Sequence, residues 1–190
     1  MIMVKTGLII LLLSSIISCN KGFTEKERGE YLKKGKEIVA TTFKELSTQL
    51  TTQMEAGGPA QALPFCKAEA LNILGELSEQ HNAIIKRSSD QLRSCKIEPT
   101  PRELDVINMY KQLVSEKKEL KPIVEIDAIN KKHFYAPIIV QAKCLTCHGE
   151  ANKTMTTKTD SIIKSIYPFD IATGYSEGDV RGVWSVTFNK

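Results

Sequence analysis

The segment Cys144-Leu145-Thr146-Cys147-His148-Gly149 sets the strongest condition on this chain. Two thiols three residues apart, followed at once by an imidazole, have the spacing that attaches a c-type haem. The thiols reach the vinyl groups of one porphyrin edge as thioethers, and the histidine then lies beneath the iron. A fold that accepts this segment must leave room beside it for a large, flat, mostly apolar group. The motif occurs once, so the expectation is one covalent haem c, with Cys144 and Cys147 as thioether positions and His148 as an iron ligand. Other C-x-x-C chemistry fits less well. A redox-active pair opens a helix in a βαβ setting, which the flanking sequence lacks. Structural zinc needs a second ligand pair of similar spacing, and none is present. A disulfide leaves His148 without a purpose.

The motif lies late in the chain, unlike the layout of small class I cytochromes. Only Met155 follows it among methionines, too close to His148 to fold round to the opposite face of a haem. Candidates for the sixth iron ligand therefore lie upstream: Met54, Cys66, His81, Met109 and His133.

The N-terminus reads as an address. Lys5 is a minimal positive region, and Leu8 to Ile17 is an apolar run too short to span a bilayer comfortably. It ends Ile16-Ile17-Ser18-Cys19, which resembles a bacterial lipobox. The expectation is a lipoprotein signal over 1–18 and a lipidated Cys19 anchoring the protein to a membrane through several acyl chains. Residues 19–30 read as a polar tether and 31–190 as one domain. The domain is expected outside the cytoplasmic membrane, in the periplasmic space, where haem c is attached. A formal charge of +4, with no basic cluster interleaved with aromatics, gives no argument for nucleic acid. Five cysteines, an odd number, exclude a simple disulfide framework.

From Tyr31 the apolar positions Ile38, Val39, Phe43, Leu46, Leu50 and Met54 predict an amphipathic helix, stopped by Gly57-Gly58-Pro59. A second helical stripe takes Leu63, Cys66, Ala70, Ile73 and Leu77. Ala83–Ile85 predicts a short strand, followed by an irregular polar stretch over 86–99. Thr100-Pro101-Arg102-Glu103 is a capping box opening a helix with Leu104, Ile107, Tyr110, Leu113 and Val114 inward. Ile123–Ile126, Phe134–Val140 and the tail from Arg181 read as strands, with a short helix capped by Asp160 before the tail. Helices first and strands later predict an α+β domain with an antiparallel sheet.

Several stretches carry a more specific resemblance: GGPAQALPFCKAEA at 57–70, Arg87-Ser88-Ser89 with Leu92-Arg93, ELKPIVEI with HFYAPIIVQAKCLTCHG, and YPFDIATGYSEGDVRGVWSV at 167–186. Over about 30–188 the chain resembles a single-haem c-type family of exported proteins with a PAS-like core. The resemblance implies a PAS-like sheet with long N-terminal helices packed on it and a haem c pocket. It also implies that Cys66 is the axial ligand opposite His148. Taken alone, Cys66 on its apolar stripe reads equally as a buried structural cysteine. Where the family often has Asn-Pro after its arginine, this chain has Ser94-Cys95, which adds a thiol able to pair with Cys66. Arg93 and Arg181 are candidates for pairing with haem propionates.

Two functions follow. A thiolate–histidine haem that changes ligands suits a redox or small-gas sensor module with a separate signalling partner. A haem that keeps both ligands suits a lipid-anchored electron-transfer cytochrome with a redox partner. No catalytic constellation is recognisable.

Overall fold

The structure, a computed structural model, describes residues 22–94 and 98–189. The signal segment, Cys19 and Cys95 lie outside them. The first helix, α1, spans Glu25–Ala68. Thr24 starts it: its hydroxyl accepts from the Glu27 amide while the Glu27 carboxylate accepts from the Thr24 amide. This reciprocal cap satisfies two orphan donors, so the helix begins well before Tyr31 and takes up part of the stretch read as tether. Ile38, Thr42 and Leu46 bury one face. Gly35 belongs to that face because a Cβ there would stand 2.2 Å from the Phe134 ring.

α1 breaks at Gly57 and Gly58, the latter at φ 62° and ψ −153°. Pro59 then opens a second helical stretch, residues 59–68, which carries buried Ala62 and Leu63 and partly buried Cys66. Glu69, at φ −105°, offsets this stretch from α2, Ala70–Gln80. The single stripe expected from Leu63 to Leu77 is therefore divided between two helices. Phe43 and Leu50, expected inside, are 48% and 39% exposed.

Four strands follow among the described residues: β1 Ala83–Ser88, β2 Ile123–Ile126, β3 Lys132–Ile139 and β4 Val180–Phe188. They form one antiparallel sheet in the order β1-β4-β3-β2. β1 is longer than the expected strand because Lys86, Arg87 and Ser88 keep pairing with Ser185, Trp184 and Val183. Alternation along the strands serves two cores. Ala83, Ile85, Phe134, Ala136, Trp184, Val186 and Phe188 face α1 and α2. Tyr135, Val180 and Val183 face Val106, Ile107 and Tyr110 of α3, Pro101–Ser115, whose Thr100 cap forms as expected. Each of the larger apolar side chains contributes about 1.5–3 kcal/mol on burial. The α+β class with an antiparallel sheet is as expected from sequence.

After β3 the chain turns through a 3₁₀ turn, Ala142–Cys144, into the one-turn helix α4, Leu145–His148. The helix α5, Thr157–Ile166, is capped by Thr156, whose hydroxyl accepts from the Thr159 amide, and not by Asp160. A third core of Leu63, Met155, Ile163 and Tyr167 joins α5 to the end of α1, with Cys147 packed against it. No helix of the described residues is long and apolar enough to cross a membrane.

Candidate functional site

The motif sits at one end of the sheet, and a loop following α5 holds it. His148 Nδ1 lies 2.8 Å from the Ala172 carbonyl oxygen. A carbonyl only accepts, so Nδ1 carries the proton and Nε2 keeps its lone pair. The same loop donates the Tyr175 amide to the His148 carbonyl at 3.0 Å and the Gly174 amide to the Gly149 carbonyl at 2.9 Å. The Tyr175 ring meets the imidazole edge-on, 6.3 Å between centroids. Gly149 is required on the motif's other flank, since a Cβ there would lie 1.9 Å from Thr154 Oγ1. His148 is therefore fixed in position and tautomer by backbone.

Cys66 reaches the same place from the 59–68 stretch. Lys67 donates to the Ile166 carbonyl at 3.1 Å and stands over the Tyr167 ring, which docks this stretch on the end of α5. Leu63, one turn before Cys66, shares a core with Cys147. Cys66, Cys144 and Cys147 are all free thiols and partly buried. Burial pushes the Cys66 thiol up, against the pull of Arg87 and Arg93. Burial also pushes Cys147 up; Arg93 opposes this, and the nearby Cys66 and Cys144 add to it.

Three arginines surround these groups. Arg93 donates from Nε to Asp170 Oδ1 at 3.2 Å, and from Nη2 to Asp170 Oδ2 at 3.3 Å, the Cys147 carbonyl at 2.5 Å and the Ala172 carbonyl at 3.3 Å. Arg181 donates to Ser89 Oγ and to the Gln91 carbonyl, and its guanidinium lies 5.3 Å from the Tyr175 ring centroid. Arg87 is open to solvent, yet the protein atoms around it push its guanidinium down, and the Arg181 charge adds to this. Burial first, then the Arg93 and Arg181 charges, push His148 down to about 3. It is a neutral imidazole, the form that binds metals.

The other sixth-ligand candidates lie elsewhere. His133 pairs in register with Thr187 and holds its hydroxyl and Asp127, each at 3.0 Å. At about 3.3 Å per residue, Thr187 stands about 20 Å along β4 from Arg181. His81 precedes Ala83, which pairs with Phe188 at that same far end. Met109 packs on the α3 face, and Met54 lies ahead of the Gly57 break. Of the expected residues, the structure brings together Cys66, Cys144, Cys147 and His148, with Arg93 and Arg181. Sequence reading passed over Ala172, Asp170, Tyr175 and the role of Arg87. Only the DIATGY stretch hinted at them, and a loop's partner is invisible in sequence.

No curated protein matches the chain. Among solved structures, the crystal structure of the cyanobacterial heme-protein Tll0287 matches with a TM-score of 0.58 at 22% identity, covering 88% of this chain and 98% of that one. At that identity the likeness is one of fold. The model of the Tll0287-like family matches residues 25–189, nearly the whole described structure. The chain belongs to the Tll0287-like family.

Proposed function

We propose that this chain is an exported, lipid-anchored protein that carries one covalent haem c and serves as a redox or gas sensor module. Cys144 and Cys147 would form the thioethers, His148 Nε2 would bind the iron, and Cys66 would take its other side. Lipidated Cys19 would hold the domain at a membrane, outside the cytoplasm. The observation that carries the reading is His148: a half-buried neutral imidazole with Nδ1 committed to the Ala172 carbonyl and Nε2 unused, directly after two free thiols. A histidine metal ligand has its second nitrogen engaged in this way. The solved relative's description as a heme-protein supports the same cofactor. A haem here would supply a one-electron couple and an iron able to bind a diatomic gas.

The two proposed ligands are held unequally, and this favours sensing over electron carriage. His148 is tied by two hydrogen bonds to one loop, and its neighbour Gly149 by a third. Cys66 rides on a short helical stretch with a backbone break at Gly57-Gly58 and an offset at Glu69. On this reading one ligand would be fixed and the other free to leave. The test is an absorption spectrum of protein matured with the haem c machinery, recorded ferric, ferrous, and ferrous with carbon monoxide. The expected result is a covalent haem, lost in the Cys144→Ala/Cys147→Ala variant, that binds the gas on reduction. Cys66→Ala should turn the ferric spectrum high-spin or water-ligated. No Soret band would end the haem reading, and a reduced protein indifferent to the gas would reassign it to electron transfer.

A further inference from the structure

The three arginines differ in what their guanidinium groups hold. Arg93 is taken up by Asp170 and two carbonyls, and Arg181 by Ser89 and the Gln91 carbonyl. These two, the sequence candidates for propionate pairing, thus brace the motif and the β4–loop junction with protein acceptors. Among the described residues the Arg87 side chain makes no hydrogen bond and no ion pair. Asp170 is the carboxylate paired to the cluster, so the site holds an excess of positive charge.

Arg87 is also placed for a guest. It is the penultimate residue of β1 and shares the sheet face of Ala83 and Ile85, the face that α1 and α2 cover. There α1's last stretch brings Cys66, and its thiol and the Tyr167 hydroxyl, both kept protonated by burial, are neighbours of Arg87. Arg87 is thus an exposed neighbour of the proposed iron ligand, with a planar fork of donors unused. A carboxylate matches that fork in shape and charge. Haem brings two carboxylates on the edge remote from its vinyl groups, and here the vinyl edge is proposed to be held by Cys144 and Cys147.

We propose that Arg87 is the seat of a haem carboxylate, which rests on the haem reading above. The pairing orients the porphyrin from the side opposite its thioethers and offsets the excess positive charge of the arginine cluster.

The test is a cycle between the side chain and the ligand group. The full chain bearing Cys144→Ala and Cys147→Ala is titrated with iron protoporphyrin and with its dimethyl ester, with and without Arg87→Leu. With Arg87 present the free acid should bind about tenfold tighter than the ester, the span of one charge-assisted pair. Arg87→Leu should bring that ratio close to one, and Arg87→Lys should keep part of it. An unchanged ratio in Arg87→Leu, or an equal loss for both ligands, overturns the proposal, the second by marking Arg87 as merely structural. Should Arg87→Leu fail to fold, the covalent haem protein bearing Arg87→Lys replaces it. Its propionate bending band in resonance Raman should then move, and an unmoved band overturns the proposal. Failure of the haem reading is read separately, as the absence of covalent haem in the unsubstituted chain.

Discussion

Asp170 offers the sharpest test of how the loop is held against the motif. It is 3% exposed and its partner Arg93 is 14% exposed, so the pair is screened little by water. The Asp170 carboxylate accepts two bonds from Arg93 and a third, at 3.1 Å, from the Ala172 amide. Asp170→Asn keeps the volume and one acceptor oxygen but removes the charge. Removing one partner of a buried pair costs about 3–5 kcal/mol. Arg93 retains the Cys147 and Ala172 carbonyls as acceptors, which reduces the expectation to about 2–3 kcal/mol. For a domain of this size that lowers Tm by about 5–10 °C. Circular dichroism melts and urea unfolding read it directly. Arg93→Met alone and the double variant complete a cycle, with a coupling of at least about 1 kcal/mol expected. A loss within about 0.5 kcal/mol, the range of an ordinary surface change, or strictly additive singles, would refute the idea that this charge holds the loop.

Two other perturbations bear on the frame. Gly182→Ala would put a Cβ 2.1 Å from the Ser88 carbonyl oxygen at φ 156°. Nothing there but backbone can yield, so we expect a loss of about 3 kcal/mol or more and faster hydrogen exchange along β1; native-like protection would contradict it. Glu103 is 3% exposed, and burial raises its carboxyl, but the Thr100 amide, Ser185 and Lys86 together outweigh burial and hold it below the usual range. As acid is added, the unfolded chain takes up this proton first, so the stabilisation is full above about pH 4.5 and is lost as pH falls through the lower folded value. Urea midpoints from pH 7 to pH 3 should fall less steeply in Glu103→Gln; parallel curves would sink the assignment.

Much of the frame was legible because it rests on local signals. The Thr100 capping box, the alternation of Val183 to Phe188 and the apolar run into the motif each carry their own geometry. The same local logic applied to Thr24-x-x-Glu27 would have placed the start of α1 correctly. Misreadings arose where a distant partner decides. Lys86 to Ser88 look irregular alone and become strand only because β4 pairs with them. Gly182 likewise answers to a distant partner, the Ser88 carbonyl, which leaves no room for a Cβ. At the site, the thiols and His148 announce themselves by spacing. The Ala172 carbonyl has no side-chain signature, and an unpartnered Arg87 can be recognised only after every acceptor around it is known.

The sheet order has a consequence for how the chain is made. β4 is the last strand in sequence yet lies between β1 and β3. When a chain emerges from its N-terminus, β1 and the β2–β3 hairpin form with a gap between them, and the pairing of Ala83 with Phe188 waits for almost everything else. Long-range pairing of this kind closes slowly. Throughout that interval residues 144–148 are already synthesised, while the loop that will clasp His148 and the strand that will lock the sheet have not yet docked. The architecture leaves residues 144–148 unclasped until its final strand slides in, and that strand then acts as the bolt.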